Sequence, residues 1–353
     1  MERTAADLDE AAPVSSALQE SEAAGASAEL TGLEIAPIGA GAMADTFRML
    51  LTWSREGAGP RSLVAKKPST NAAAAATAAS IGAYEREAKF YLELAPRTKV
   101  RTPRLLGVVR DGGVPSTVLL EYLTEGYRPG DQFAELGSQA LEPARHQLAL
   151  LQAPFWEDAP TSRLDWLHRR LGVPIPRIVE RMERSWTVGR TTVGADMRAD
   201  ERECVDRFVS RAGQWAAALD GPGTLVHHDY RLDNMLFGCG ELVVLDWQTI
   251  VWGPAMFDVA YLLGASLEPE RRRAVERDQI RRHVDDLAGQ GISWSAVEAW
   301  QAYREAAFAV LLMLVPPIMT VKTNPRMEAT YRRLIPFGAR MALDLDALEF
   351  LPA

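Results

Sequence analysis

The sequence predicts an α+β chain in two lobes: a small antiparallel β lobe with one helix, then a larger and mainly helical lobe. Three observations carry this expectation. Residues 30–125 alternate short β-rich runs with turns and hold a single helical stretch. The rest of the chain repeats its apolar residues at helical spacing. One polar segment, His227–Asn234, breaks that periodicity and is followed by a short hairpin.

Leu33–Ile38, Thr46–Trp53 and Leu63–Lys67 read as three strands. Gly39 and Gly41 mark the first turn, and Gly57, Gly59 and Pro60 the second. Turns this short join antiparallel neighbours. Ala72–Ala79 favours helix by composition. Ile81, Tyr84, Ala88, Tyr91 and Ala95 extend it with one apolar face before Pro96 ends it. Arg104–Val109 and Thr117–Tyr122 add two strands. Helices follow at Leu141–Leu151, Ile178–Trp186, Asp200–Leu219, Met256–Leu267, Arg271–Leu287 and Trp294–Val315. Met235–Phe237 and Leu242–Leu245 flank the hairpin turn Gly238-Cys239-Gly240. Residues 1–28, rich in Ala, Ser and Glu, read as a disordered N-terminal segment or a loosely attached helix. The expected division is therefore 1–28, a first lobe over 29–124 and a second over 125–353. A cleft between two lobes is a common ligand site.

Composition narrows the class of function. The chain has 353 residues and a formal net charge of -8. Nucleic acid and anionic membranes both reward clustered positive charge, so neither is an expected partner. The two cysteines, Cys204 and Cys239, form no C-x-x-C pair, which argues against zinc and fits a reducing compartment. No apolar leader follows Met1. The longest apolar run, Ala306–Val321, is interrupted by Pro316-Pro317 and falls short of the ~20 residues a spanning helix needs. The expected setting is cytoplasmic.

The chemistry concentrates in LVHHDYRLDNMLF and, after the hairpin, VLDWQ. The spacing is His227-x-Asp229-x-x-x-x-Asn234, with Asp246 beyond the hairpin. Phosphoryl transfer asks for an aligned hydroxyl, metal ions bridging the phosphates and positive charge on the transferring oxygens. Asp229 can accept a hydroxyl proton. Asn234 and Asp246 offer hard oxygens suited to Mg²⁺. The hairpin carries the chain out and back, so the last two can converge. His227 suits a role in holding the loop.

These segments resemble the catalytic and metal-binding loops of the aminoglycoside phosphotransferase and choline kinase superfamily, which has a protein-kinase-like fold. LDWQ with GPAMFDVAYLLG is most similar to bacterial phosphotransferases related to ecdysteroid kinases. The resemblance spans about residues 30–350 and is strongest at 225–265. It implies a kinase using ATP or GTP and Mg²⁺, with Asp229 as base and Asn234 and Asp246 as metal ligands. It places Arg231 where protein kinases have a lysine touching the γ-phosphate, and makes Asp258 a brace for the loop.

For the first lobe, the segment Ile38–Ala44, with Gly39, Gly41, Ala42 and Met43, lies between two strands where a glycine-rich turn could cover phosphates. Strand alternation lets only one of Lys66 and Lys67 face a cleft. The family pattern selects Lys66. It also selects Glu87 as the carboxylate that would hold this lysine, with Glu85 as the fallback. Leu119–Leu123, including Glu121 and Leu123, resembles the hinge whose backbone reads adenine.

One departure is His228, where the family usually has Gly. A side chain there would narrow the acceptor site, shift the pH optimum or mark lost activity. Superfamily acceptors include aminoglycosides, macrolides, choline and ecdysteroids. Trp166, Trp186, Trp294, Trp300, Tyr303, Met313 and Met319 could line a pocket for an apolar hydroxylated acceptor, or could simply form core. No acid cluster marks a site for a polycation. The alternative function is a nucleotide-binding pseudokinase acting as a sensor or partner. A protein kinase is disfavoured, because Asp246 is followed by Trp-Gln and Asp258 comes too soon to leave a peptide-docking segment.

Overall fold

The structure, a computed structural model, describes residues 5–40, 43–123, 126–134, 138–167, 175–319 and 325–352. It has the expected α+β, protein-kinase-like architecture in two compact units. One is Met1–Pro96 with Thr102–Tyr127, and the other is Arg97–Arg101 with Arg128–Ala353.

The first unit is a five-stranded antiparallel sheet in the order β1-β2-β3-β5-β4. Its strands are β1 (Leu30–Ala40), β2 (Ala44–Trp53), β3 (Ser62–Pro68), β4 (Leu105–Asp111) and β5 (Val114–Glu121). Phe47 pairs with Ala65 and Ala65 with Leu119, so alternation runs in step across the three central strands. The expected single helix divides at Gly82, whose φ of 65° is left-handed, into α2 (Ala72–Ser80) and α3 (Ala83–Lys89). Asn71 caps α2 by accepting from the Ala73 and Ala74 N–H groups.

Of the two expectations for the N-terminal segment, disorder and a loosely attached helix, the structure has a helix, and it is packed rather than loose. Ala5–Glu20 forms a helix, α1. Val14, Ala17 and Leu18 are buried in one cluster with Leu33, Met49, Leu51, Leu63, Ala65, Leu106 and Leu119. A sheet with one uncovered apolar face needs a second layer, and α1 supplies it. Gly107 makes the approach possible: a Cβ there would lie 2.8 Å from the Ala17 carbonyl oxygen.

The second unit is mainly helical. It contains α4 (Ser138–Gln152), α5 (Ala159–Ser162), α6 (Ile175–Thr192), α7 (Ala199–Ala218), α8 (Met256–Ser266), α9 (Pro269–Gly289), α10 (Ala296–Glu305), α11 (Ala309–Leu314) and α12 (Pro325–Asp344). The expected helix over 294–315 is interrupted at Ala306–Phe308. Helix α8 is buried at every position. It packs against α11 and α12, where a Cβ at Gly338 would sit 2.9 Å from Val310. A helix buried all round must be apolar all round, which makes its polar side chains informative. No helix among the described residues is long and apolar enough to cross a membrane.

Short strands frame the polar loop. After β6 (Tyr127–Pro129), β7 (Gly223–Val226) leads into it, and the hairpin of β8 (Met235–Gly238) and β9 (Glu241–Val244) follows. Cys239 and Gly240, both at positive φ, make its two-residue turn. β10 (Val251–Pro254) returns antiparallel to β7, with Val251 opposite Val226. That pairing clamps residues 227–250 between two strand ends.

Candidate active site

In the first unit, alternation settles the two lysines. Lys67 shares a face with Leu63 and Ala65 and pairs with Glu10 of α1. Lys66 points to the other face and meets Glu87 of α3 at 2.8 Å, with both side chains largely buried. Glu85 instead pairs with Lys89, one turn along. A buried, charge-assisted pair of this kind fixes a lysine head far better than an exposed one does.

Of the glycine-rich segment, Gly39 lies at the last residue but one of β1, opposite Thr46. Gly41 and Ala42 lie outside the described residues. The Met43 carbonyl accepts from the Tyr84 hydroxyl at 2.6 Å. Asp45 accepts from Ser69 and from the Thr70 amide and hydroxyl, and these bonds, the Thr70 amide foremost, hold its carboxyl below the usual range. Glu121 ends β5, and its N–H is bonded to the Arg104 carbonyl at 2.9 Å. Leu123 is half-buried just past the strand.

The polar loop of the second unit converges tightly. Asp258 of α8 accepts the N–H of His227 at 2.6 Å and that of His228 at 2.9 Å. It is fully buried, and burial pushes its carboxyl up to about 7 against the pull of those two donors. His227 uses both ring nitrogens. Nδ1 accepts from the Asp229 N–H at 3.3 Å, so Nε2 carries the proton that it donates to the Leu245 carbonyl at 2.9 Å.

Asp229 is held on both oxygens. Oδ1 accepts from Arg231 Nε at 3.1 Å and from the Tyr261 hydroxyl at 3.0 Å. Oδ2 accepts from Asn234 Nδ2 at 2.9 Å. Burial alone would raise its pKa, but Arg231, His227 and the Asn234 and Tyr261 bonds outweigh that and keep it below the ordinary carboxylate range. Asn234 spends its second amide hydrogen on the Asp229 carbonyl at 2.8 Å. Its oxygen, Oδ1, is therefore the atom left to meet a cation. The Leu245 N–H donates to the Asn234 carbonyl at 2.8 Å, which brings Asp246 next to Asn234 in the chain path. The hairpin thus closes as expected. Asp246 has φ 64°, a left-handed backbone uncommon outside glycine.

His228 also has a positive φ, 72°. A backbone needing that conformation explains a glycine preference, and a histidine there costs roughly 1–2 kcal/mol. Its ring is buried against Phe257, with centroids 4.6 Å apart.

Three features escaped the sequence reading. Tyr261 sits one turn beyond Asp258 on an otherwise apolar helix, and that hydroxyl was its available signal. Arg326 of α12 bonds both Asp131 and Asp233 at 2.9 Å, and Asp233 also pairs with Arg231. Arg333, also on α12, pairs with Glu268. The aromatic set does not gather into one lining. Trp186 donates to Asp206, Tyr303 is buried and donates to Glu276, and Trp294 packs on Trp156. Trp300 lies under Arg277, while Met319 is exposed.

A model of the phosphotransferase enzyme family, APH, matches residues 34–305. The chain belongs to that family. As a fold, this phosphotransferase family member is similar to choline kinase from Cryptosporidium parvum Iowa II, with TM-score 0.55, 10% identity and 91% and 92% of the two chains covered. It is similar to APH(2″)-IIa in complex with gentamicin, with TM-score 0.53, 14% identity and coverage of 97% and 99%. ADP-bound APH(2″)-Ib gives TM-score 0.51, 14% identity and coverage of 94% and 99%. It is also 31% identical over 195 residues to acyl-CoA dehydrogenase family member 10 of Mus musculus, a match covering 52% of this chain and 17% of that protein. The family member thus spans about a sixth of that relative's length. The family supports a phosphotransferase function, and the solved structures support the fold.

Proposed function

We propose that this protein transfers the γ-phosphate of ATP, or of GTP, to a hydroxyl group of a small acceptor. The observation that carries the reading is the convergence of Asp229, Asn234 and the start of the Asp246 segment through three hydrogen bonds. Asp229 is the group that orients the acceptor hydroxyl and takes its proton. A carboxylate below its ordinary pKa is a weak base, which suits a loose transition state in which the hydroxyl loses its proton late. Arg231, charged and adjacent, answers the developing charge on the phosphate oxygens.

Asn234 Oδ1 and the Asp246 carboxylate fit Mg²⁺ by donor type. Among the described residues, no three His, Cys, Asp or Glu side chains form a metal cluster. Two protein ligands suit an ion that completes its shell with phosphate and water. Bound magnesium would neutralise charge on the nucleotide phosphates. The ADP carried by APH(2″)-Ib supports nucleotide use. Lys66, fixed by Glu87, is the cation assigned to the phosphates, and the sequence segment Gly39–Met43 is assigned to cover them. Glu121–Leu123 is assigned to the base. The pairing of β3 with β5, which sets Lys66 opposite Val118, supports the assignments of Lys66 and of the segment after β5.

The acceptor is most consistently an uncharged hydroxylated molecule. A polycation needs free carboxylates. Along the bonds leading out from Asp229, Asp233 and Asp131 are already paired with arginines of this chain, as is Glu268 on α9's N-terminal flank. The pseudokinase reading leaned on His228, yet that residue buries its ring and leaves the loop's hydrogen bonds in place. The test is ADP release from Mg-ATP across aminoglycosides, macrolides, choline-like amines, steroids and terpenoid alcohols. Acceptor-dependent release that disappears in Asp229→Asn supports the reading. Absence of any nucleotide binding by thermal shift would refute it.

A further inference from the structure

The bonds around Asp229 are of two kinds. Arg231 is a charged, largely buried group with a second acceptor within reach. It already divides itself between Asp229 and Asp233. Tyr261 is a neutral hydroxyl on a buried helix, and among the described residues its hydrogen-bond partner is Asp229 Oδ1. The two donors share that one oxygen, so the carboxylate has a spare hold on it.

Helix α8 carries this hold in a specific pattern. Asp258 and Tyr261 lie three residues apart, hence on one helical face. Asp258 pins the loop backbone at His227 and His228. Tyr261, one turn on, reaches the side chain of the next residue, Asp229. One rigid helix therefore sets both the path of the loop and the rotation of its carboxylate. Burial and the neighbouring Asp229 charge keep the Tyr261 phenol protonated, so it remains a donor at any working pH.

Phosphates compete for arginine by offering bidentate, doubly charged acceptors. When a nucleotide draws Arg231 away, Asp229 Oδ1 loses its charged donor. A carboxylate with one oxygen unheld can rotate about χ2, and misalignment of the attacking hydroxyl slows transfer. We propose that Tyr261 is the positioning residue that keeps the Asp229 carboxylate aligned once Arg231 turns to the nucleotide phosphates. The inference rests on the phosphotransferase reading above and adds a division of labour to it: Tyr261 serves alignment, and Arg231 serves the phosphate.

The test compares Tyr261→Phe, Arg231→Gln and Asp229→Asn with the wild-type full chain. ADP release is followed against Mg-ATP concentration, with an active acceptor from the panel or with water, below the lowest Tm of the set. Tyr261→Phe is expected to lose about tenfold in kcat, with KM for Mg-ATP and Tm close to wild type. Arg231→Gln is expected to raise KM for Mg-ATP. The double variant should show the product of the two single losses in kcat, because Arg231 has already left Oδ1 when the nucleotide is bound; a loss well beyond that product would mean that Arg231 still holds the carboxylate during turnover and would overturn the division of labour. Wild-type kcat in Tyr261→Phe, with Asp229→Asn inactive, overturns the inference and leaves the reading of the site standing. A parallel fall of Tm, kcat and affinity in Tyr261→Phe assigns it a merely structural role and also overturns it. Full activity in Asp229→Asn, or no turnover in the wild type, removes the phosphotransferase reading and this inference together.

Discussion

The two units hold their charged residues by different means. In the first, Lys66 and Glu87 stand on regular elements, a central strand and a helix, with ordinary backbones. Register and alternation suffice to bring them to 2.8 Å. In the second, Asp229 belongs to a loop whose neighbours His228 and Asp246 take left-handed φ values. That loop is held by side chains of a buried helix and by a hairpin that returns to it. Strain of this sort persists only where the surroundings over-determine it. Damage to the first arrangement should therefore stay local, while damage to the second should spread from stability to turnover.

The largest expected contrast is in activity. Asp229→Asn should lower kcat by about 10³-fold while Mg-ATP still raises the Tm. Lys66→Met should act mainly on KM for Mg-ATP, by about tenfold to a hundredfold, as for loss of a hydrogen bond to a charged group. Steady-state kinetics on both variants would break the comparison if the two effects were exchanged.

Stability comes next. Asp258→Ala leaves two buried N–H groups without acceptors and should cost about 3 kcal/mol in denaturant unfolding, with loss of turnover. A change under ~1 kcal/mol would mean that the loop holds itself. Gly107→Val tests the first unit instead. Its Cβ meets the Ala17 carbonyl, so α1 must shift, and about 2 kcal/mol should be lost. Protease sensitivity near residue 20 should rise while the Lys66–Glu87 pair, on the opposite face of β3, is spared.

The smallest effect sharpens the point about strain. Comparing His228→Gly with His228→Ala removes the ring from both. The glycine variant should be about 1 kcal/mol the more stable, because only the alanine retains a Cβ at positive φ. Equal unfolding midpoints would show that the left-handed backbone carries little cost here.

Much of this was legible in the chain itself, and the failures have physical causes. All five strands of the first sheet could be read from β-formers separated by Gly and Pro, because hairpin turns act over a few residues. The hairpin at 235–244 could be read for the same reason. α1 could not. It contains Pro13 and a run of small residues with little amphipathic signal, and its burial depends on a sheet face and on Gly107, far away in sequence. β7 and β10 are each four residues long and find each other across the whole loop, so neither announces itself locally. For the aromatic residues the sequence left two readings open, a ligand lining or core. Trp186 and Tyr303 have the composition of a ligand lining, but their polar atoms are satisfied by Asp206 and Glu276.

The sequence by itself determined the residue types and spacings around Asp229, Asn234 and Asp246, and the alternation that separates Lys66 from Lys67. Those follow from short-range geometry, which successive residues cannot escape. Tertiary structure alone decided that Asp258 would accept two backbone N–H groups, that Tyr261 would share Asp229 Oδ1 with Arg231, and that Arg326 would occupy Asp131 and Asp233. Each of those bonds joins residues distant in the chain or on different elements. Their partners are chosen by which buried groups would otherwise go unsatisfied, a condition that exists only once the core has closed.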